Sequence, residues 1–209
     1  MTIKKYEDMD SFELDVLREI GSIGTGNAAT ALSSVLSQKI EMSLPEVKIM
    51  DYNKAIKEMG GAERIVCGEL VAFSGEINGI MLYMQDMDLI NVVLEKLLNG
   101  RRINDYMELN ELDTSALIEI GNIIISSYIN AISTLTGISV HLSVPAICTN
   151  MLGAIVSVPM AEYGYESDKI MTIGGNFKCN GKEVYSRLLM LPDMKSLDFL
   201  MKKLGVESE

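Results

Sequence analysis

The strongest constraint on this chain is an internal repeat, because one residue pattern occurs twice at an offset of 100 positions. Residues 17–23 read Leu-Arg-Glu-Ile-Gly-Ser-Ile, and residues 117–123 read Leu-Ile-Glu-Ile-Gly-Asn-Ile. The same offset relates Pro45 to Pro145, so the match runs through a whole predicted helix and into the segment after it. A repeat of this length predicts that one set of elements is used twice.

Further along the chain the offset grows to 107, since Asp86 matches Asp193, and this indicates extra loop residues in the second half. The polar segment 100–110 separates the two copies. We therefore expect a single domain that spans the chain and consists of two homologous halves, at about 1–104 and 105–209.

Each half predicts a long amphipathic helix, a group of strands and a shorter second helix. The long helices span about 10–37 and 110–136, and Asp10 and Asn110 mark their starts. The predicted strands are 39–50, 63–73, 79–84, 139–146, 154–159, 170–179 and 183–191, with hairpin turns at 75–79 and Asn180-Gly181, and the second helices are about 87–98 and 194–204. Strands joined by short turns pair antiparallel, so we expect an α+β fold in which long helices pack on one pseudo-twofold antiparallel sheet.

Charge and hydropathy exclude several classes of partner. The formal net charge is −11 and hydrophobic residues make up 48% of the chain, a composition typical of a globular domain with an acidic surface. Such a surface repels nucleic acid and anionic lipid, and no apolar run reaches the roughly 20 residues of a membrane span. The N-terminal segment turns acidic where a secretory signal is apolar. We expect a cytoplasmic protein that binds neither nucleic acid nor membrane.

The cysteines and the single histidine argue against a disulfide framework and a histidine-rich metal site. Cys67, Cys148 and Cys179 form no CxxC pair and are odd in number, so buried, reduced thiols are expected. His141 lies in the alternating stretch 138–144, which predicts a strand residue that faces solvent. Neither residue type predicts a catalytic centre.

Two short polar rows on the long helices are the candidates for chemistry, because residues three and four positions apart share one helix face. The rows are Ser115, Glu119 and Asn122 in the second half and Asp15, Glu19 and Ser22 in the first. Single residues of these types are usually ordinary solvated residues. The repetition favours function instead, as does an Asn deep inside a helix, where its amide competes for backbone hydrogen bonds.

A glycine cluster in the first helix has two interpretations. Gly21, Gly24 and Gly26 suggest a phosphate-binding loop, but they follow a helical segment rather than a strand and lack the Lys-Ser/Thr ending of such loops. The second copy keeps only Gly121 of the three. Close packing of the helix against a neighbour is the favoured explanation.

The two rows carry a resemblance to the CheC/CheX/FliY phosphatases. In that family Asp or Ser is followed four positions later by Glu, three later by Asn, and then by Pro after 22 intervening residues. Ser115, Glu119, Asn122 and Pro145 match this pattern fully, whereas the first half supplies Asp15, Glu19 and Pro45 but has Ser22 in place of Asn. The resemblance covers nearly the whole chain, including its duplication.

The resemblance implies hydrolysis of the aspartyl-phosphate of a CheY-like response regulator in chemotaxis signalling. The regulator would supply the phosphorylated Asp, a Lys and Mg²⁺, so the chain would need no cofactor of its own. Asn122 would orient the attacking water and Glu119 would anchor the regulator's Lys, while Ser115 and Pro145 would be positional.

The departure at Ser22 implies a weaker first site. A hydroxyl is shorter than a carboxamide by about one bond and would leave the water misplaced. A misplacement of about 1 Å can cost about a hundredfold in rate. We expect Glu19 to serve as a docking group and the second row to carry most of the activity.

Three alternatives stay open. The chain could be a binding module that sequesters phosphorylated regulator or holds a CheD-like deamidase without hydrolysis. A flagellar-switch protein of the FliY kind would add an N-terminal peptide and a C-terminal domain, for which no room is expected between the helix start near residue 10 and Glu209. CheX-like chains have one site and dimerise, whereas two covalently joined halves predict a monomer.

Overall fold

The computed structural model describes residues 6, 9, 11–43, 45–163, 169–179 and 182–206. Its elements in chain order are α1 (Ser11–Val35), β1 (Ile40–Met42), β2 (Glu46–Asp51), α2 (Tyr52–Glu58), β3 (Ile65–Gly75), β4 (Gly79–Gln85), α3 (Met87–Leu97), a 3₁₀ turn (Tyr106–Glu108), α4 (Glu111–Thr136), β5 (Val140–Leu142), β6 (Ala146–Met151), α5 (Leu152–Tyr163), β7 (Lys169–Cys179), β8 (Lys182–Pro192) and α6 (Met194–Lys203).

Helices begin and end where the sequence supplies capping groups. The Asn110 side chain accepts a hydrogen bond from the Asp113 backbone N–H at 3.0 Å, and the Asp113 carboxylate accepts one from the Asn110 N–H at 3.1 Å. α4 ends at Gly137, whose φ of 72° lies in the left-handed region that favours glycine. Asp86 and Asp193 cap α3 and α6 through their side chains.

The four predicted helices are confirmed within two residues at each end, as α1, α4, α3 and α6. Asp10, the predicted start of the first long helix, lies outside the described residues.

One sheet contains the eight strands in the order β1-β7-β8-β4-β3-β5, with β2 also pairing β7 and β6 also pairing β3. The pairs are antiparallel, so the predicted α+β architecture is confirmed. β4 and β8, one from each half, lie side by side at the centre. The strands after α1 pair with β7, and the strands after α4 pair with β3, so each half donates strands to the other.

Helices cover both faces of this sheet, because its strands alternate apolar residues toward two cores. In β4, Met81 and Tyr83 belong to the core under α1 and α4, and Leu82 and Met84 belong to the core under α2 and α5. The larger core also takes in α3 and α6.

The contact between α1 and α4 explains part of the glycine cluster. A Cβ on Gly24 would lie 2.6 Å from the Tyr128 ring, and the Thr25 and Tyr128 hydroxyls are hydrogen-bonded at 2.8 Å. Close helix packing is therefore confirmed at Gly24. The prediction of close packing is wrong at Gly26, where a Cβ would meet no atom within 4 Å.

The predicted strand 154–159 is wrong, because these residues lie inside α5. Its β-branched residues and Pro159 disfavour a helix locally. Tertiary packing overrides that preference: Ile155 and Val156 are buried against the sheet, and Ile155 fills the space left by Gly68, where a Cβ would lie 2.7 Å away. α2, the matching helix of the first half, was not predicted either.

Among the cysteines, Cys67 and Cys179 are buried as predicted, whereas Cys148 is exposed on β6, so that prediction is wrong. Among the described strands β6 pairs with β3 alone, so it lies at the edge of the sheet, and most of its residues are exposed. His141 is an exposed strand residue, as predicted.

The predicted hairpin at 75–79 connects β3 and β4, and Gly75 has a φ of 128° there. Asn180-Gly181 lies outside the described residues, although Cys179 and Lys182 on either side of it are paired.

α4 is long and apolar enough to cross a membrane, judged by length and composition, although no run of this kind was expected from the sequence. More than half of its most apolar stretch is buried inside the protein, and α1 packs along it. The helix therefore has the character of a core helix.

Candidate functional site

Glu119 and Asn122 lie on the outer side of α4. Glu119 is exposed and Asn122 is half-buried, while Ile120 and Ile124 on the opposite side are 1% and 2% exposed. Within the described part of the chain, neither the Glu119 carboxylate nor the Asn122 carboxamide has a hydrogen-bond or ion-pair partner. Two polar groups three positions apart are thus presented together and unpaired.

The first half presents its row in the same way on α1. Glu19 is exposed and Ser22 is half-buried, and Ile20 beside them is buried. Asp15 differs from Glu19 because it forms an ion pair with Arg18 on the same helix. The structure therefore repeats the orientation of the two rows but places a hydroxyl where the other half has a carboxamide.

The first turn of α4, which leads into the candidate row, is fixed by an ion pair. The Arg101 guanidinium donates to both Asp113 carboxylate oxygens at 2.8 and 2.9 Å and to the Glu108 carbonyl at 2.9 Å. The Asp113 side chain is fully buried. The Arg101 guanidinium holds the pKa of that carboxyl below its usual range, and a hydrogen bond from Asn110 acts in the same direction.

The proline and serine of the two motifs contact their own helices. A Cβ built on Gly21 would lie 3.3 Å from Cγ of Pro45, so the proline packs against the residue just before Ser22. Ser115 donates from its hydroxyl to the Glu111 carbonyl at 2.9 Å, one turn back on α4. Both contacts are local, and neither brings a reactive group to the surface.

Two buried polar side chains lie beneath the candidate row, and the sequence analysis did not single them out. Glu69 and Gln85 are both 0% exposed on neighbouring strands. The Gln85 amide donates to the Leu117 carbonyl of α4 at 3.2 Å. A Cβ on Gly121 would fall on the Glu69 carboxyl, so this carboxyl occupies the space a side chain would take.

The chemical environment of Glu69 differs from that of the surface acids. Burial raises its pKa to about 8, and neither carboxyl oxygen has a hydrogen-bond partner among the described residues. The signal in the sequence was a lone acid in the apolar stretch Ile65–Gly75. Such an acid is usually assigned to the solvent face, and only the strand register shows that it faces α4.

The outer face of α4 therefore offers one carboxylate and one carboxamide to a partner. A carboxylate binds an ammonium or guanidinium group, and a carboxamide both donates and accepts hydrogen bonds, so it can hold a water molecule in one orientation. Among the described residues, no group of three or more His, Cys, Asp or Glu side chains is placed to hold a metal ion.

Comparisons with known proteins agree with the duplicated architecture. The model of the CheC-like family matches twice, over residues 12–49 and 112–148, and each match contains one candidate row. The CheY-P phosphatase CheC of Bacillus subtilis (strain 168) is 29% identical over 197 residues, which cover 92% of this chain and 94% of that protein. The flagellar motor switch phosphatase FliY of the same organism is 26% identical over 145 residues, 69% of this chain and 38% of that protein.

A solved structure gives the same picture of the fold. The crystal structure of Thermotoga maritima FliY matches with a TM-score of 0.72 at 20% identity, covering 96% of this chain and 99% of that one. At this identity the similarity shows a shared fold, and the match extends over both halves of the chain. The family model recurs in each half at the spacing of the repeat, and a relative matches along nearly its entire length, so both halves of the chain are similar to CheC-like proteins.

Proposed function

We propose that this protein is a phosphatase that hydrolyses the aspartyl-phosphate of a CheY-like response regulator in chemotaxis signalling. The observation that carries the proposal is the pair of unpaired side chains on the outer face of α4, Glu119 exposed and Asn122 half-buried. The similarity to a protein named CheY-P phosphatase CheC supports the same reaction. A cytoplasmic location is part of the proposal.

The regulator supplies most of the reacting groups in this mechanism. A water oxygen attacks phosphorus in line with the phosphorus–oxygen bond to the aspartyl carboxyl. That bond breaks, the aspartate leaves as a carboxylate, and the water's protons end on the released phosphate or in solvent. The regulator would supply Mg²⁺ and Lys to neutralise charge on the transferring group, so this chain contributes geometry rather than a nucleophile.

Asn122 is assigned to the attacking water. Its carboxamide oxygen accepts a hydrogen bond from the water, and its amide group donates to a phosphoryl oxygen, which together fix the line of attack. No residue of its own chain competes for that carboxamide within the described residues. An unpaired amide can therefore enter a partner's pocket without first breaking an internal bond.

Glu119 is assigned to the docking step. Its carboxylate pairs with the regulator's Lys and sets the register of α4 in the pocket. Leu112 lies seven positions earlier, on the same helix face and about 10 Å away at 1.5 Å per residue, and it is 63% exposed. This apolar residue extends the proposed docking surface toward the start of α4.

A second candidate function is binding without hydrolysis, and Ser22 is the observation that favours it. In the first half, Glu19 is exposed for docking but the neighbouring hydroxyl is too short to replace the carboxamide. A protein in which both rows only docked would sequester phosphorylated regulator. Binding of a CheD-like deamidase and a monomeric state stay predictions from the sequence.

Turnover separates the two candidates. The protein is added to a large molar excess of regulator that carries radiolabelled phosphate, and released phosphate is counted per molecule of protein. A phosphatase releases many equivalents, faster than the regulator alone, and chelation of Mg²⁺ abolishes the difference. Release that never exceeds the regulator's own rate, with labelled regulator retained in a stable complex, would establish the sequestering function instead.

A further inference from the structure

The starting observation is the position of Glu69 under the candidate site. β3 carries it into the interface with α4, where its carboxyl rests against Gly121, the residue between Ile120 and Asn122. Only glycine leaves room for the carboxyl at this position of the helix. The contact therefore joins a buried acid directly to the helix turn that presents Glu119 and Asn122.

Among the described residues, no acid takes the equivalent position under the row on α1. In the sheet, Glu69 is paired with Ile147 of β6. Val47 of β2, the counterpart of Ile147 in the repeat, is paired with Ile173 of β7, so an isoleucine takes the place of Glu69 in the other half. In that half, the atoms nearest to a Cβ built on Gly21 belong to the apolar side chains of Val47 and Pro45. The buried carboxyl thus belongs to the row with Asn122 and is missing from the row with Ser22.

The surroundings of Glu69 favour its uncharged form. On its own strand the neighbouring titratable group on the same face is the Cys67 thiol, and β4 contributes the Tyr83 phenol across the strand pair. β6 contributes the apolar Ile147. α4 contributes Gly121, and its buried acid Asp113, about two turns earlier, is already paired with Arg101.

We propose that Glu69 is a positioning residue for Asn122: its uncharged carboxyl, seated against Gly121, holds the turn of α4 that carries Glu119 and Asn122, and loss of its proton moves that turn. An ionised carboxylate without hydrogen bonds is costly in this interior, so the helix turn has to shift to admit water or donors. Phosphatase activity then falls as the pH rises through about 8 while the protein remains folded. The activity part of the proposal rests on the proposed function.

The first test does not use activity. Backbone amide and Asn side-chain signals are followed by ¹H–¹⁵N NMR from pH 6 to about 9.5 in the wild type, Glu69→Gln and Glu63→Gln. Glu63 is an exposed acid just before β3 and serves as the control. The Gly121 amide and the Asn122 side-chain amide should shift together near pH 8 in the wild type and Glu63→Gln, and the shift should be absent in Glu69→Gln. If only Gly121 shifts, or if neither does, the positioning role is refuted.

The second test measures labelled phosphate release over the same pH range, corrected for the regulator alone, with circular dichroism to verify folding. The wild type and Glu63→Gln should lose activity above about pH 8. Glu69→Gln should retain it, because its carboxamide is uncharged and similar in shape to the protonated carboxyl. An identical decline in all three proteins would overturn the positioning role. If the wild type shows no activity at any pH, the proposed function fails, and the NMR titration still decides whether Glu69 controls the α4 turn.

Discussion

At the scale of single residues, Ser22 and Asn122 occupy equivalent positions on α1 and α4 and share the same half-buried setting. The two sites therefore differ in the length and hydrogen-bonding capacity of one side chain. Sequence comparison of the halves alone predicted this difference. The helical spacing of the apolar residues also predicted that the acids face solvent, and Glu19 and Glu119 are both exposed.

Replacing Ser22 by Asn is expected to create a second active row. The Ser22→Asn variant restores the carboxamide beside Glu19, and activity should rise up to about twofold if both rows then act independently. Steady-state phosphate release with excess labelled regulator is the measurement. Ser34→Asn, at an exposed position on the same helix, is the matched control and should change nothing. A loss of activity in Ser22→Asn would show that the two rows are not equivalent.

The burial of Glu69 could not be predicted from the sequence. A single acid in a strand reads as a solvent-facing residue unless the register is known, and a shift of one position would move it to the opposite face. The partner strands β4 and β6 set that register through residues distant in the chain. No local pattern in the chain contains this information.

At the scale of elements, the start of α4 depends on one ion pair whose carboxylate is buried. The Arg101 guanidinium comes from the segment that joins the two halves and clamps Asp113 in the first helical turn. The capping box at Asn110 uses the same carboxylate. This arrangement connects the inter-half segment to the helix that carries the candidate site.

Arg101→Ala is expected to destabilise the fold, because it leaves the buried Asp113 carboxylate without its cation. Asp113 has a lowered pKa in the folded protein, so its contribution to stability is present above about pH 4 and is lost as the pH falls through the folded-state pKa. Urea unfolding at neutral and acidic pH measures both effects. The control is Arg102→Ala, since Arg102 is more exposed and pairs with Glu95 at 3.5 Å. Equal losses in the two variants would contradict the assignment.

Element types were predictable where local and tertiary preferences agree. α4 has helical spacing, a capping box and a terminal glycine, and α1 repeats the helical spacing, so the bounds of both helices follow from the sequence. α5 was missed because Ile155, Val156 and Val158 favour a strand and Pro159 disfavours a helix, while burial against Gly68 stabilises the helical form. Local propensity and tertiary packing conflict at that element, and packing decides.

At the scale of the whole molecule, the strand exchange makes each half dependent on the other. β2 pairs with β7 and β6 pairs with β3, and the central β4–β8 pair also joins the two halves. The repeat predicted two copies and one sheet. It did not predict which strands are exchanged, because the pattern of the repeat is the same whether the strands pair within a half or between halves.

Neither half should fold alone. Residues 1–104 and 105–209, expressed separately, leave the exchanged strands without partners and remove one of the two partners of β4 and of β8, so each should be unfolded or aggregate. Circular dichroism and NMR dispersion of each half, and of an equimolar mixture, test this. Native-like dispersion should appear only on mixing. A stably folded, monomeric half would contradict the mutual dependence of the two halves.

The proposed hydrolysis depends most on the carboxamide of Asn122, and one comparison of rates tests this role directly. Phosphate release from excess labelled regulator is measured for the wild type, Asn122→Ala, Ser22→Ala and Asn130→Ala, the last being an exposed Asn on the same helix. In Asn122→Ala the rate of phosphate release above that of the regulator alone should fall about a hundredfold, because the attacking water loses its orientation. Ser22→Ala and Asn130→Ala should stay close to the wild type. Full activity in Asn122→Ala, or a larger loss in Ser22→Ala, would contradict the central claim.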